Sequence, residues 1–182
     1  MAMQWLNEPA RWDAQGDTLT VTADPKTDFW RKTHYGFMRD NGHFYSVEAH
    51  GDFTAEVKVT GDYRALYDQA GLMVRLDETT WLKCGIELFN GVQCASVVVT
   101  RDYSDWSVVP LPQSPTAIWL RVTRLGDAIE VHSALDGEHY QMLRVAHLTL
   151  AETVRVGPMC AAPEGEGFQA RFDGFVLRPA VP

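Results

Sequence analysis

Residues 69–89 read QAGLMVRLDETTWLKCGIELF, and this stretch decides the fold because apolar residues recur at alternate positions along both of its halves. Successive side chains of a β-strand point to opposite faces of a sheet, so the pattern predicts two strands, Gln69–Leu76 and Trp81–Phe89. One face of each strand is wholly apolar and is therefore predicted to face a hydrophobic core. The predicted core positions are Ala70, Leu72, Val74, Leu76, Leu82, Cys84, Ile86 and Leu88.

The same organisation extends along the rest of the chain, where short runs rich in β-branched and aromatic residues end at glycine, aspartate or asparagine. The proline-containing stretch Val109–Thr116 is instead predicted to be an irregular connection, because proline cannot donate to a sheet ladder. About a dozen short strands at this spacing are typical of an all-β sandwich or jelly roll. Besides the two strands above, we predict strands at Arg11–Ala14, Thr18–Thr22, His43–His50, Phe53–Thr60, Gln93–Thr100, Ile118–Arg124, Ala128–Ala134, Glu138–Arg144, Val154–Cys160 and Phe168–Leu177.

The composition is that of one globular domain, with 182 residues of which 46% are hydrophobic and 22% charged. Sixteen lysine and arginine residues against 24 aspartate and glutamate residues give a net charge of −8, which disfavours binding to nucleic acid. No apolar run approaches the ~20 residues that cross a bilayer, so no membrane association is expected. The N-terminus lacks the charged start and apolar stretch of a signal peptide, and the protein is therefore expected to be cytoplasmic.

Cysteine and histidine spacing predicts neither a disulfide framework nor a metal site. Cys84, Cys94 and Cys160 are widely separated in the sequence and form no C-x-x-C pair. The tripeptide DNG at residues 40–42 is interpreted as a turn, with an oxygen-rich calcium loop as the alternative. No nucleotide-binding glycine motif, metalloprotease motif or nucleophile elbow is present, so no cofactor is expected.

The outward face of these strands is the candidate site surface. If the neighbouring strands lie side by side, their charged residues form one surface. One interpretation is a solvated sheet face held by cross-strand charge pairs. The other is a polar groove rimmed by exposed aromatic residues, since Trp81 and Phe89 share the outward face. The charged residues of this surface would be Glu56, Lys58, Arg75, Lys83 and Glu87.

The sequence YDQAGLMVR at residues 67–75, followed by WLKCGIE at residues 81–87, resembles a specific family. It is the domain-of-unknown-function family that includes the fungal regulation-of-enolase protein, within the concanavalin A-like lectin/glucanase superfamily. The resemblance implies a single-domain jelly-roll sandwich of two curved antiparallel sheets, which we predict for residues 1–182. It also implies a concave sheet of the kind that often binds carbohydrate. Further matching motifs are TDFWR (27–31), HYG (34–36), DNGH (40–43), SDWS (104–107) and VGP (156–158).

We predict that the concave sheet binds a carbohydrate-like or anionic small molecule without catalysis. Sugar sites combine aromatic platforms, which stack on the C–H faces of a sugar, with a few fixed polar groups. The lysine and arginine on this face are the reason for the anionic alternative. The candidate platforms are Trp30, Tyr35, Trp81 and Trp106, and the candidate polar groups are His34, Gln69, Arg75, Lys83 and Glu87.

Two alternatives remain open. A glycoside hydrolase needs two carboxylates about 5–5.5 Å or about 6.5–9.5 Å apart, and Glu87 is the best single catalytic candidate. Lys83 is expected to keep Glu87 ionised, and the second carboxylate would come from Glu56, Asp68 or Asp105. The other alternative is a protein-interaction or regulatory module acting on a metabolic enzyme, or a homodimer surface, formed by the same aromatic face.

Overall fold

The structure of the protein is a computed structural model that describes residues 2–180. Within these residues, sixteen strands form two antiparallel sheets of seven strands each and one separate hairpin. The strands are β1 Gln4–Leu6, β2 Arg11–Gln15, β3 Thr18–Thr22, β4 Phe29–Arg31, β5 Met38–Asp40, β6 His43–His50, β7 Phe53–Gly61, β8 Gln69–Arg75, β9 Thr80–Phe89, β10 Val92–Arg101, β11 Tyr103–Pro110, β12 Ile118–Leu125, β13 Ala128–Ala134, β14 Gln141–His147, β15 Thr153–Ala161 and β16 Gln169–Pro179.

The front sheet has the strand order β1-β6-β15-β8-β9-β10-β11, and the back sheet has the order β14-β13-β12-β7-β16-β3-β2. The hairpin pairs β4 with β5 and packs on the outer face of the front sheet. This arrangement confirms the prediction of an all-β sandwich of two antiparallel sheets. Residues 2–180 include no helix long and apolar enough to cross a membrane.

The main core lies between the two sheets and follows from the alternation along each strand. Leu82 and Ile86 of the front sheet are buried in the same cluster as Val57 and Leu120 of the back sheet. Leu76 and Leu88 depart from their predicted core positions. Leu76 follows the end of β8 and is 39% exposed, and Leu88, next to the last residue of β9, is only half-buried. The predicted core face is confirmed for Ala70, Leu72, Val74, Leu82, Cys84 and Ile86.

A second, smaller core covers part of the outer face of the front sheet. The hairpin brings Phe29 and Trp30 onto this face, where they cluster with Met73, Trp81 and Val98. Trp81 is 0% exposed and packs edge-on against Phe29, with the ring centroids 6.1 Å apart. The expectation that Trp81 is an exposed aromatic on an open groove is therefore wrong, because the hairpin covers that part of the sheet.

The sheet to which β7 belongs and the residue at which β11 ends correct two further expectations. β7 belongs to the back sheet, so Glu56 and Lys58 lie on the opposite side of the sandwich from the charged residues of β8 and β9. Alternation determines which face of a strand a residue occupies, but not which sheet the strand joins. Pro110 is the last residue of β11, at the edge of the front sheet, so the predicted connection Val109–Thr116 begins inside a strand.

Candidate functional site

A pocket remains open beside the hairpin, on the outer face of the front sheet. It encloses about 510 Å³ of space between atoms, including the part open to solvent. Its lining includes six of the nine residues predicted from the sequence, which are Trp30, Tyr35, Gln69, Lys83, Glu87 and Trp106. The other lining residues are Asp28, Phe37, Arg39, Tyr67, Val98, Pro163 and Glu164.

The floor of the pocket consists of side chains that strand pairing brings together from four neighbouring strands of the front sheet. Glu87 of β9 lies opposite Gln69 of β8, and Lys83 lies opposite Val98 of β10. Val98 in turn lies opposite Trp106 of the edge strand β11. Directly opposed residues in a sheet share a face, so these side chains from four strands stand together on the outer surface.

The carboxylate of Glu87 is buried, at 6% exposure, and its two oxygens differ in their hydrogen bonds to residues 2–180. Oε2 accepts hydrogen bonds from Ser96 Oγ at 2.6 Å and from Trp106 Nε1 at 3.0 Å. Oε1 accepts none from residues 2–180, and Glu87 lines the pocket. Burial raises the pKa of Glu87 above its usual value, although the charge of Lys83 and the two hydrogen bonds oppose the rise.

The ammonium group of Lys83 is directed to the hairpin and makes no ion pair with Glu87 among residues 2–180, although its charge still acts to lower the pKa of that carboxyl. Nζ donates a hydrogen bond to the carbonyl oxygen of Phe29 at 2.7 Å and lies 3.2 Å from Asp28 Oδ1. Lys83 and Asp28 are both buried, so the lysine charge is balanced first within this ion pair. The sequence analysis did not predict Asp28 as a site residue, because only the docked hairpin brings it to the sheet.

Four aromatic rings surround the passage between this pocket and an outer groove, and we call them the aromatic collar. Trp30, Tyr35, Tyr67 and Trp106 follow one another in a closed circuit, with successive centroid separations of 5.6, 6.5, 6.3 and 6.4 Å. Neighbouring rings are inclined by 70°, 72°, 76° and 89°. The hydroxyl groups of Tyr35 and Tyr67 lie 2.9 Å apart and join two of the rings.

The outer groove has a volume of about 1180 Å³ and shares all four collar residues with the pocket. His34 lines this groove and not the pocket, so the structure separates it from the polar groups with which it was predicted. Tyr67 belongs to a motif that the sequence analysis singled out, but it was not predicted as a site residue. Its backbone φ of 68° is unusual for a bulky residue, and no alternation pattern indicates where such a side chain points.

Arg75, another predicted site residue, anchors the hairpin and does not line the pocket. Its guanidinium donates to both carboxylate oxygens of Asp40, at 2.7 and 2.8 Å. Bidentate pairs of this kind combine charge with fixed geometry. Asp40 begins the tripeptide for which a calcium loop was the alternative, and its oxygens face a cation of the protein. Residues 2–180 hold no group of three or more His, Cys, Asp or Glu side chains arranged for a metal ion.

The carboxylates proposed as hydrolytic partners of Glu87 do not line the pocket. Glu56 lies on the back sheet, where it pairs with two arginines. Asp68 is buried, and its Oδ2 accepts hydrogen bonds from the backbone amides that precede it in the loop. The side chain of Asp105 is 71% exposed and lies 3.2 Å from Arg144. The second buried carboxylate of the pocket is Asp28, which Lys83 holds.

Comparisons with known proteins agree with the fold along almost the whole chain. The family described as "Protein of unknown function (DUF1349)" matches residues 5–180. The chain is 41% identical over 173 residues to "Regulation of enolase protein 1" of Saccharomyces cerevisiae, an alignment that covers 95% of this chain and 87% of that protein. The crystal structure of a functionally unknown protein from Saccharomyces cerevisiae matches with a TM-score of 0.96 and 39% identity, covering 99% of this chain and 97% of that chain.

A more distant similarity concerns the fold alone. The carbohydrate-binding module CBM66 from Bacillus subtilis matches with a TM-score of 0.62 and 13% identity, covering 96% of this chain and 94% of that chain. The expected resemblance is confirmed by the family match and by the yeast relative, both of which extend over most of the sequence. The chain therefore belongs to the DUF1349 family of proteins of unknown function.

Proposed function

We propose that the pocket beside the hairpin binds a small carbohydrate-like molecule and carries out no catalysis on it. The observation that carries this proposal is the mixed polar floor beneath the aromatic collar. Lys83 supplies a buried donor, while Oε1 of Glu87, which accepts no hydrogen bond from residues 2–180, supplies an acceptor on the same face. Gln69, opposite Glu87, adds an amide whose nitrogen donates to the backbone of Tyr67 at 3.1 Å.

Sugar hydroxyl groups both donate and accept, so a floor with both kinds of partner suits them better than it suits an apolar ligand. The C–H faces of a sugar ring pack on aromatic side chains, and Trp106 and Tyr67 flank this floor. A small carbohydrate therefore fits the chemistry of the floor and of the rings beside it.

The charges of the pocket argue against the anionic ligand that the sequence left as an alternative. Three carboxylates line it, those of Asp28, Glu87 and Glu164, against the two cations of Arg39 and Lys83. The lysine is already paired with Asp28. An anionic group entering here would lie close to the buried carboxylate of Glu87, an arrangement that like-charge repulsion disfavours.

Isothermal titration calorimetry with a panel of neutral monosaccharides, combined with thermal-shift measurements, tests the proposal. A ligand at 100 times its Kd stabilises the native state by about 2.7 kcal/mol, which is a readily measured shift. We expect Tyr35→Ala to weaken binding, because Tyr35 forms one side of the collar and its 43% exposure lets it be truncated with little effect on folding.

Trp12→Ala is the matched control for that variant. Trp12 is 38% exposed and packs on Trp5, away from the residues that line the pocket. Truncating it removes an aromatic ring of similar exposure and is expected to leave the affinity for the sugar unchanged. Absence of binding across the whole panel would overturn the proposal, as would equal losses of affinity in the two variants.

A second candidate function is docking of a protein partner on the rim of the same site. The yeast relative is named as a regulator of enolase, and the hairpin turn exposes Tyr35, Phe37 and Met38, the last at 59%. Analytical ultracentrifugation with purified enolase tests this candidate. We expect complex formation that Met38→Asp abolishes while sugar binding persists; no complex at micromolar concentrations would exclude it for enolase.

A further inference from the structure

We propose that the pocket is selective for a sugar bearing a protonated amino group, with the ammonium held within the aromatic collar and above the free oxygen of Glu87. The inference rests on the proposed function and makes it more specific, since it names the class of sugar. Two independent features of the pocket point to it, namely the geometry of the four rings and the unpartnered carboxylate oxygen.

The collar has the form of a cation site. Successive ring centroids are 5.6 to 6.5 Å apart, and successive rings are inclined by 70° to 89°, so the four rings form a closed circuit of edge-to-face pairs. A group at the centre of such a circuit lies within about 6 Å of every centroid, the range over which aromatic rings attract cations. A neutral hydroxyl group gains no comparable attraction from the rings.

The floor supplies the complementary negative charge. Glu87 is 6% exposed, and neither hydrogen bond to its carboxylate involves Oε1. Lys83 offsets the cost of burying this carboxylate only in part, and an ammonium ion in the pocket would supply a cation in direct contact with it. The raised pKa of Glu87 agrees with this, because it shows that the protein's own groups do not fully offset its desolvation.

The cations of the pocket do not already fill this role. Lys83 Nζ lies 3.2 Å from Asp28 and 2.7 Å from the Phe29 carbonyl oxygen, and it makes no ion pair with Glu87 among the described residues. The Arg39 guanidinium lies over the ring of Phe37, 4.8 Å from its centroid, on the hairpin and not on the floor. Glu164 adds a third carboxylate to the lining.

Calorimetric titration with D-glucosamine, D-glucose and N-acetyl-D-glucosamine, at a pH where the free amine is protonated, tests the inference. We expect glucosamine to bind at least about tenfold more tightly than glucose, which corresponds to about 1.4 kcal/mol. N-acetylation removes the charge and is expected to remove the preference. Equal affinities for glucose and glucosamine would overturn the inference and leave the proposed function standing, whereas no binding of any of the three would count against both.

The variant Glu87→Gln tests whether Glu87 is the residue that causes the preference for glucosamine over glucose. The substitution keeps the shape of the side chain and removes its charge, so the ratio of glucosamine to glucose affinity is expected to fall to within about twofold. Glu130→Gln on the back sheet removes one negative charge away from the pocket and is expected to keep the ratio. A ratio that survives in a folded Glu87→Gln protein, as judged by its thermal midpoint, would overturn the role given to Glu87.

Discussion

Lys83 donates a 2.7 Å hydrogen bond to the carbonyl oxygen of Phe29, and this bond joins the centre of the front sheet to the hairpin that covers it. The same ammonium group lies 3.2 Å from Asp28, at the start of the hairpin. The residue that forms part of the pocket floor therefore also holds one of the pocket walls in place. Binding and local stability are coupled through this one side chain.

Lys83→Met is expected to destabilise the protein strongly. The substitution leaves the buried carboxylate of Asp28 without its cation, and loss of one partner from a buried ion pair typically costs about 3–5 kcal/mol. Urea unfolding followed by tryptophan fluorescence measures the effect. Lys58→Met is the control: Lys58 lies over the Trp119 ring on the back sheet, and its loss is expected to cost about 1 kcal/mol or less. Similar losses in the two variants would contradict the structural role of Lys83.

Glu87 is expected to make stability depend on pH in a predictable direction. Its pKa is raised from 4.5 by burial, so over the range between 4.5 and the raised value the folded state keeps a proton that the unfolded state releases. Stability contributed by this group is therefore present below 4.5 and is lost as the pH rises through the raised pKa.

Glu87→Gln removes this titration. The free energy of unfolding of the variant, relative to the native protein, is expected to increase as the pH rises from 4.5 to the neutral range. Urea unfolding of both proteins at a series of pH values in that interval gives the difference directly. A difference that stays constant or falls with pH would show that the buried carboxylate is better stabilised than the structure indicates.

Gly85→Ala is expected to disrupt the pairing of β8 with β9 in the floor of the pocket. A Cβ atom at Gly85 would lie 2.1 Å from the carbonyl oxygen of Ala70 on the neighbouring strand, and backbone atoms cannot move aside as a flexible side chain can. We expect a loss of about 2 kcal/mol or more in urea unfolding. Gly126→Ala provides the comparison: its Cβ meets no atom within 4 Å, and its φ of 60° costs only about 1 kcal/mol of backbone strain. An equal loss at both positions would exclude the steric explanation.

The sequence alone was sufficient to predict the β-sandwich and to assign the two faces of the central strands. Along β9, Leu82 and Ile86 point to the main core while Lys83 and Glu87 point outward, as alternation requires. The floor of the pocket was predictable for this reason, because it depends only on the strand period and on the pairing of adjacent strands.

The hairpin was not predictable from the same pattern. β4 and β5 have three residues each, too few to display a period, and they are held by side chains distant in sequence. Arg75 holds Asp40, 35 residues away, while the side chain of Ser104 accepts from the backbone of Arg31, 73 residues away. Contacts of this range decide that Trp81 is buried and that Asp28 joins the site, and no local propensity encodes them.

The hydrogen bond between the hydroxyl groups of Tyr35 and Tyr67 can be detected by spectroscopy through the pKa of Tyr67. The hydrogen bond to Tyr35, with burial as the next cause, raises the pKa of Tyr67 from 10.0 to about 12. Either hydroxyl group can act as the donor in this bond.

Tyr35→Phe removes the partner hydroxyl group and keeps the ring, so the pKa of Tyr67 is expected to fall from about 12 towards 10.0. The ionisation of Tyr67, followed by NMR of tyrosines labelled with 13C at Cζ, should then occur at a lower pH in the variant than in the native protein. Tyr103→Phe removes a phenol that is 60% exposed and lies outside this hydrogen bond, so it is expected to leave the ionisation of Tyr67 unchanged. Identical titrations of the remaining tyrosines in the native protein and in Tyr35→Phe would mean that the two hydroxyl groups are not bonded in solution. The collar would then be open on the side of the hairpin, and the selectivity for an ammonium group that depends on four enclosing rings would be weakened with it.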